Sequence, residues 1–191
     1  RGGVFIFTTD PTSGKQTLTG RIQAAGLQTG DNFGASVAIR GDTLVVGAPD
    51  AFNGDGAVYT FRYLNNQWVQ QGGALKSVYS NTRFGSEVSL DVSTLVVGAR
   101  GEAGEWGDTW IYEATSEGWN SVQDLEFFNV GYGAAVAVDG NYIVVGAPRG
   151  DASQGFVDIW KQGETIQVSL DATGGIQLVQ VDGSILALTG N

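Results

Sequence analysis

Phe33-Gly34-Ala35-Ser36-Val37-Ala38-Ile39, followed by Leu44-Val45-Val46-Gly47-Ala48-Pro49, is the stretch whose reading decides the fold, because the chain repeats it. The first run returns as Phe84-Gly85-Ser86-Glu87-Val88-Ser89-Leu90 and as Tyr132-Gly133-Ala134-Ala135-Val136-Ala137-Val138. The second returns as Leu95-Val96-Val97-Gly98-Ala99-Arg100 and as Ile143-Val144-Val145-Gly146-Ala147-Pro148. Gly34 to Gly85 and Gly47 to Gly98 are both 51 residues apart, while Gly85 to Gly133 and Gly98 to Gly146 are both 48. A third run keeps step: Gly56-Ala57-Val58-Tyr59-Thr60-Phe61, Gly107-Asp108-Thr109-Trp110-Ile111-Tyr112 and Gly155-Phe156-Val157-Asp158-Ile159-Trp160. A looser fourth run closes each unit, around Gln67-Trp68-Val69-Gln70, Trp119-Asn120-Ser121-Val122-Gln123 and Thr165 to Leu170.

These runs are short, rich in β-branched and aromatic residues, and bounded by Gly, Asn, Asp or Ser, which is the signature of strands. No segment holds a 3.6-residue period. The second run is apolar without alternation, as a strand covered on both faces must be. Four strands per unit of about 48 residues is the arithmetic of a β-propeller blade. The expected fold is therefore all-β: four blades of four antiparallel strands in one domain over residues 1–191. Three blades fall at about 31–80, 81–130 and 131–170. The remaining one is split between 1–30 and 171–191. Val4 to Phe7 and Gln16 to Ile22 would supply its third and fourth strands. Val179 to Leu188, which overlays Val136 to Val145, would supply its first and second, and pairing the two ends would close the ring. The rival organisation is a fragment of a longer propeller.

The chain has 191 residues, 30 of them Gly, roughly twice the ordinary share. It has no Cys, His or Met. Disulfides, thiolate nucleophiles, cysteine zinc sites and histidine bases are thereby excluded. Ten Lys and Arg against 20 Asp and Glu give a net charge of -10, which opposes nucleic acid and anionic membrane surfaces as partners. No apolar run is long enough to span a bilayer. The chain opens on Arg1 without a signal-peptide pattern and reads as a mature or excised piece.

Phe-Gly opening one strand and Gly-Ala-Pro closing the next resemble the FG-GAP repeat of integrin α-subunit propellers and of many bacterial surface and secreted proteins. The resemblance covers nearly the whole chain. Arg100 replaces the Pro in the second copy, Tyr132 replaces the Phe in the third, and the fourth keeps neither motif, reading Gly174-Gly175 and Thr189-Gly190. The resemblance implies a binding or adhesion module that is extracellular or on a cell surface. Integrin-like copies carry a calcium loop between the first two strands. Here tight hairpins stand instead, at Arg40-Gly41-Asp42, Asp91-Val92-Ser93, Asp139-Gly140-Asn141 and Asp182-Gly183-Ser184, so the chain is closer to the calcium-free bacterial branch.

Loops joining second and third strands are the longest and most polar, and are expected to share one rim. They offer Asp50, Phe52, Asn53 and Asp55 from one unit, Glu102, Glu105 and Trp106 from the next, and Arg149 and Asp151 from the third. Loops on a rigid scaffold are where binding residues gather. Asp50, Asn53 and Asp55 place three oxygen-bearing side chains around a Gly and are the weak candidates for calcium, which needs six to eight ligands; the plainer reading is a turn. Trp68 and Trp119, on or beside the fourth strands, are further candidate contacts. Third-strand aromatics, Phe5, Phe7, Tyr59, Phe61, Trp110, Tyr112, Phe156 and Trp160, are assigned mostly to packing between blades. Arg-Gly-Asp occurs at 40–42 and at 149–151, the first as a plain hairpin turn. Glu102 and Glu105 could form a glycosidase pair, yet no other unit supplies a matching acid cluster.

The expected function is non-catalytic recognition of a glycan or protein ligand through rim loops, with no required cofactor. The alternative is a structural or assembly unit, self-associating or inserted in a larger surface protein or filament.

Overall fold

A computed structural model describes residues 2–101, 106–148, 155–162, 166–170 and 176–180. It is built of antiparallel sheets, with no α-helix among the described residues and therefore none long and apolar enough to cross a membrane. A two-stranded sheet comes first, β1 (Val4–Thr9) with β2 (Gln16–Ile22). Next is a four-stranded meander of β3 (Ser36–Arg40), β4 (Thr43–Ala48), β5 (Ala57–Leu64) and β6 (Gln67–Leu75). The same order recurs in β7 (Glu87–Leu90), β8 (Thr94–Ala99), β9 (Trp106–Thr115) and β10 (Gly118–Val130). A third meander contains β11 (Ala135–Asp139), β12 (Tyr142–Ala147) and β13 (Phe156–Lys161). Among the described residues the expected strand runs are thus strands. Among the described residues the sheets remain separate and form no closed sheet.

The cores lie between sheets, which is why the second strands are apolar throughout. Leu44, Val46 and Ala48 of β4 bury one way, with Ile22, Phe33, Tyr59 and Phe61. Val45 of the same strand buries the other way, with Phe84, Val97 and Trp110 of the next unit. Val96 repeats the arrangement one unit on, meeting Tyr132, Ile143 and Val145. Period-two alternation within a strand so serves two cores.

Glycine lets neighbouring sheets approach at backbone distance. A Cβ on Gly47 would stand 2.0 Å from the carbonyl oxygen of Gly85, and one on Gly98 would stand 2.1 Å from that of Gly133. Gly56 and Gly107 meet the carbonyl oxygens of Phe84 and Tyr132 in the same way, at 2.2 and 2.0 Å. Main-chain hydrogen bonds run along the first of these seams, from Arg83 N to Gly54 O and from Phe84 N to Asp55 O, both at 3.0 Å. The Ser36 hydroxyl adds a bond to Gly85 O at 2.8 Å. Both glycines of the repeat therefore face another backbone, and Gly85, at φ +84°, also needs a conformation that side chains disfavour.

The motif aromatics fill the space beside the seams. Phe33 meets Tyr59 edge-on at 5.7 Å, and Phe84 meets Trp110 at 5.1 Å. In the third unit both partners differ. Tyr132 stands for Phe, and Asp158 occupies the register of Tyr59 and Trp110, opposite Val145 as they are opposite Val46 and Val97. The Tyr132 hydroxyl accepts a bond from Trp160 Nε1 at 3.2 Å. Asp158 is fully buried, and neither carboxylate oxygen makes a hydrogen bond of good geometry. Burial pushes its carboxyl up to about 6, with the Tyr132 hydroxyl acting in the opposite sense.

Of the third-strand aromatics, most of which were expected to pack between blades, Phe5 and Phe7 are the exposed ones, at 54% and 59%, because the two strands of their sheet leave that face uncovered among the described residues. Tyr59, Phe61, Trp110, Tyr112 and Phe156 are buried as expected, and Trp160 is partly so. In the C-terminal part, β15 (Ile176–Gln180) pairs with β14 (Ile166–Leu170), with Leu170 opposite Ile176. The rest of the expected first and second strands, 181–188, lies outside the described residues.

Two outcomes follow from the seams and the buried acid. Gly47→Ala should cost about 3 kcal/mol or more, since backbone rather than a movable side chain occupies the space, while Gly73→Ala, in open space, should be near neutral; chemical denaturation of both variants checks this. For Asp158, the folded value of about 6 lies above the unfolded value of about 3.9. The stability that its neutral form contributes is complete below about pH 4 and lost as pH rises through about 6. Asp158→Asn should therefore melt progressively higher relative to the parent between pH 4 and 7; parallel profiles would contradict the assignment.

Candidate functional site

Each meander has two ends, and the sequence candidates divide between them. At one end lie the connections from second to third strands. At the other lie the hairpins joining first to second and third to fourth strands, tied together in every unit: Tyr63 N donates to Asp42 O, Ala114 N to Ser93 O and Gln162 N to Asn141 O.

At the loop end, residues 51–54 form a tight turn in which Phe52 and Asn53 take positive φ values of 55° and 63°. This turns Phe52 outward, 44% exposed, where the Lys76 ammonium sits 3.3 Å from its ring centroid. Asn53 is exposed beside it. Asp50 accepts a hydrogen bond from Arg83 Nη2 at 2.6 Å and another from Asn32 Nδ2. Asp55 accepts one from the Asn81 amide at 2.9 Å, and its carbonyl accepts the Thr82 hydroxyl. The two carboxylates thus latch the following connection onto the loop. Among the described residues no three acidic groups are placed to hold a metal. Glu102, Glu105, Arg149 and Asp151 lie outside the described residues, and so does the second Arg-Gly-Asp. Trp106 is described only as the start of β9, opposite Val130.

At the hairpin end, the first Arg-Gly-Asp is structural. Arg40 Nε pairs with Asp91 at 2.8 Å, and Asp91 also accepts the amides of Gly140 and Val92 at 2.6 and 2.7 Å. The Gly140 and Val92 amides, with Arg40 adding to them, hold the Asp91 carboxyl below the usual carboxylate range. One carboxylate so joins the first hairpins of three successive units.

A groove also opens at this end, between the β1–β2 sheet and the β3–β6 sheet, with a volume of about 690 Å³. Trp68, half-buried against the core, lines it beside Tyr63, their rings 5.2 Å apart and inclined at 51°. Thr8 and Thr19 come from the first sheet, Asn66 from the turn before β6 and Gln67 from the start of that strand. Asn65 and Asn66 both take positive φ, 50° and 64°, which makes that turn tight. Trp119, 51 residues after Trp68, lines the corresponding groove at the next junction, which holds only about 170 Å³. The sequence singled out both tryptophans but missed Tyr63, Asn66 and Gln67. Aromatics flanking an Asn-Asn turn were the available signal; the opposite wall, some fifty residues earlier, left none.

The loop-end carboxylates have a clear consequence. Asp50→Ala should cost about 1 kcal/mol by freeing the Arg83 guanidinium and the Asn32 amide. The loss should be equal with millimolar calcium and with a chelator, as thermal melts would show. A calcium-induced rise in the parent that the variant lacks would make Asp50 a ligand.

Residues 17–61, from β2 to Phe61 in β5, match the family model of the FG-GAP repeat. No curated protein matched the sequence. The matched segment holds Phe33-Gly34 and Gly47-Ala48-Pro49, the residues that build the seams, and such repeats typically belong to non-catalytic, propeller-like binding modules. This all-β chain carries, at residues 17–61, an FG-GAP repeat.

Proposed function

We propose that this chain is a non-catalytic recognition module acting outside the cell or on its surface, with a ring of four blades as its scaffold. In that ring β1 and β2 are the third and fourth strands of a blade whose first and second come from the C-terminal part of the chain. The exposed Phe5, Phe7 and Leu18 give such strands an apolar face to cover. The observation that carries the functional reading is the groove beside Trp68. It presents aromatic and hydrogen-bonding side chains at a junction of two sheets, as binding sites do. A net charge of -10 keeps nucleic acid off this surface.

The same uncovered face supports a second reading, a unit that assembles with other copies through sheet edges. A glycan array probed with the purified chain, with sedimentation over a hundredfold concentration range, separates the two. Recognition requires a saturable ligand and a monomer throughout. Association that grows with concentration, with no glycan or protein ligand found, would overturn it in favour of assembly.

A further inference from the structure

The geometry points to a ligand class for the groove: we infer that it binds neutral oligosaccharides, with Trp68 as the stacking platform. This deepens the recognition reading and rests on it. A sugar ring has an apolar C–H face bordered by hydroxyls, so its site needs a flat aromatic surface and neutral donors and acceptors around it. The groove supplies both. Trp68 and Tyr63 form the aromatic wall, and Thr8, Thr19, Asn66 and Gln67 bring hydroxyl and amide side chains to the lining. A volume of about 690 Å³ exceeds what a single sugar fills and suits a short oligomer.

Charge selects among saccharides. Asp42 and Arg21 also line the groove, so their opposite charges offset each other locally. Arg21 in addition lies over the Phe5 ring, 5.6 Å from its centroid. The protein as a whole carries -10, which repels sulfated and uronic-acid chains. A neutral ligand meets no such penalty.

The wall is held ready before a ligand arrives. Trp68 packs partly on the core shared by the two sheets, and the bond from Tyr63 N to Asp42 O, at 2.8 Å, locks the two hairpins that flank the groove. The next junction is an internal control. Trp119 has the place of Trp68, but Ala114 stands where Tyr63 would, Arg62 and Glu117 join the lining, and about 170 Å³ remains. A tryptophan at this position is therefore insufficient, and of these two junctions the site belongs to the first.

The test titrates the intact chain with cellotriose, chitotriose, maltotriose and mannotriose, and with a sulfated heparin trisaccharide, by calorimetry and tryptophan fluorescence. At least one neutral trisaccharide should bind and perturb the fluorescence, and the sulfated one should not bind. Trp68→Ala should weaken binding about tenfold or more, while Trp119→Ala leaves it unchanged. Because Trp68 also packs on the core, Asn66→Ala on the exposed turn provides the independent arm: weaker binding at an unaltered melting temperature. Trp68→Phe should keep most of the affinity. Sugar binding undiminished in Trp68→Ala and Asn66→Ala would overturn the groove while sparing the recognition reading. Tighter binding of the sulfated sugar would overturn the charge argument. No neutral sugar bound, with a protein ligand found instead, would overturn the ligand class.

Discussion

A carbonyl oxygen lies where a side chain would begin, at Gly47 against Gly85 and again at Gly98 against Gly133, and the spacing of adjacent sheets follows from that contact. With any Cβ in the gap, the amides of Arg83 and Phe84 could not reach Gly54 and Asp55, and the aromatic pairs Phe33–Tyr59 and Phe84–Trp110 would be levered apart. Close approach has an energetic counterpart. The buried main-chain groups of each sheet edge find partners in the neighbouring unit, and the cores on either side exclude water from them. In the first two units the motif is thus a device for joining one sheet to the next.

Rigid junctions have a functional side. Side chains at the hairpin ends are positioned by two sheets at once, so a groove between the β1–β2 and β3–β6 sheets keeps its shape without a ligand. The acids at the junctions hold structure together. Asp50 and Asp55 latch the loop end, and Asp91 ties three successive first hairpins. The proposed groove is lined chiefly by neutral and aromatic groups beside these fasteners.

Repetition made the fold legible. Any residue type needed at every junction, such as Gly47, Gly98, Phe33 or Phe84, recurs at the repeat spacing and can be read without a structure. Features that occur once are read only in part. Tyr132 and Asp158 replace an aromatic pair in the third unit alone; the repeat alignment already sets Asp158 level with Tyr59 and Trp110, but only the structure shows that the carboxylate is buried there. The pairing of β14 with β15 was hidden for a related reason, since the same alternating residues fit either a hairpin or two separate sheets. Exposure of Phe5 and Phe7 depends on how many strands their sheet has, which composition does not encode. The groove was half legible: Trp68 could be picked out, but its depth comes from residues of another sheet.

Native-state hydrogen exchange at the seam is the most direct test of this account. If inter-sheet backbone contact holds the units together, the amides of Arg83 and Phe84, which donate across the junction between the β3–β6 and β7–β10 sheets, should exchange only through global unfolding, with the same denaturant dependence as the amides of β4. Exchange of these two amides by local opening, at a free energy well below that of β4, would show that the sheets hold their positions by some other means.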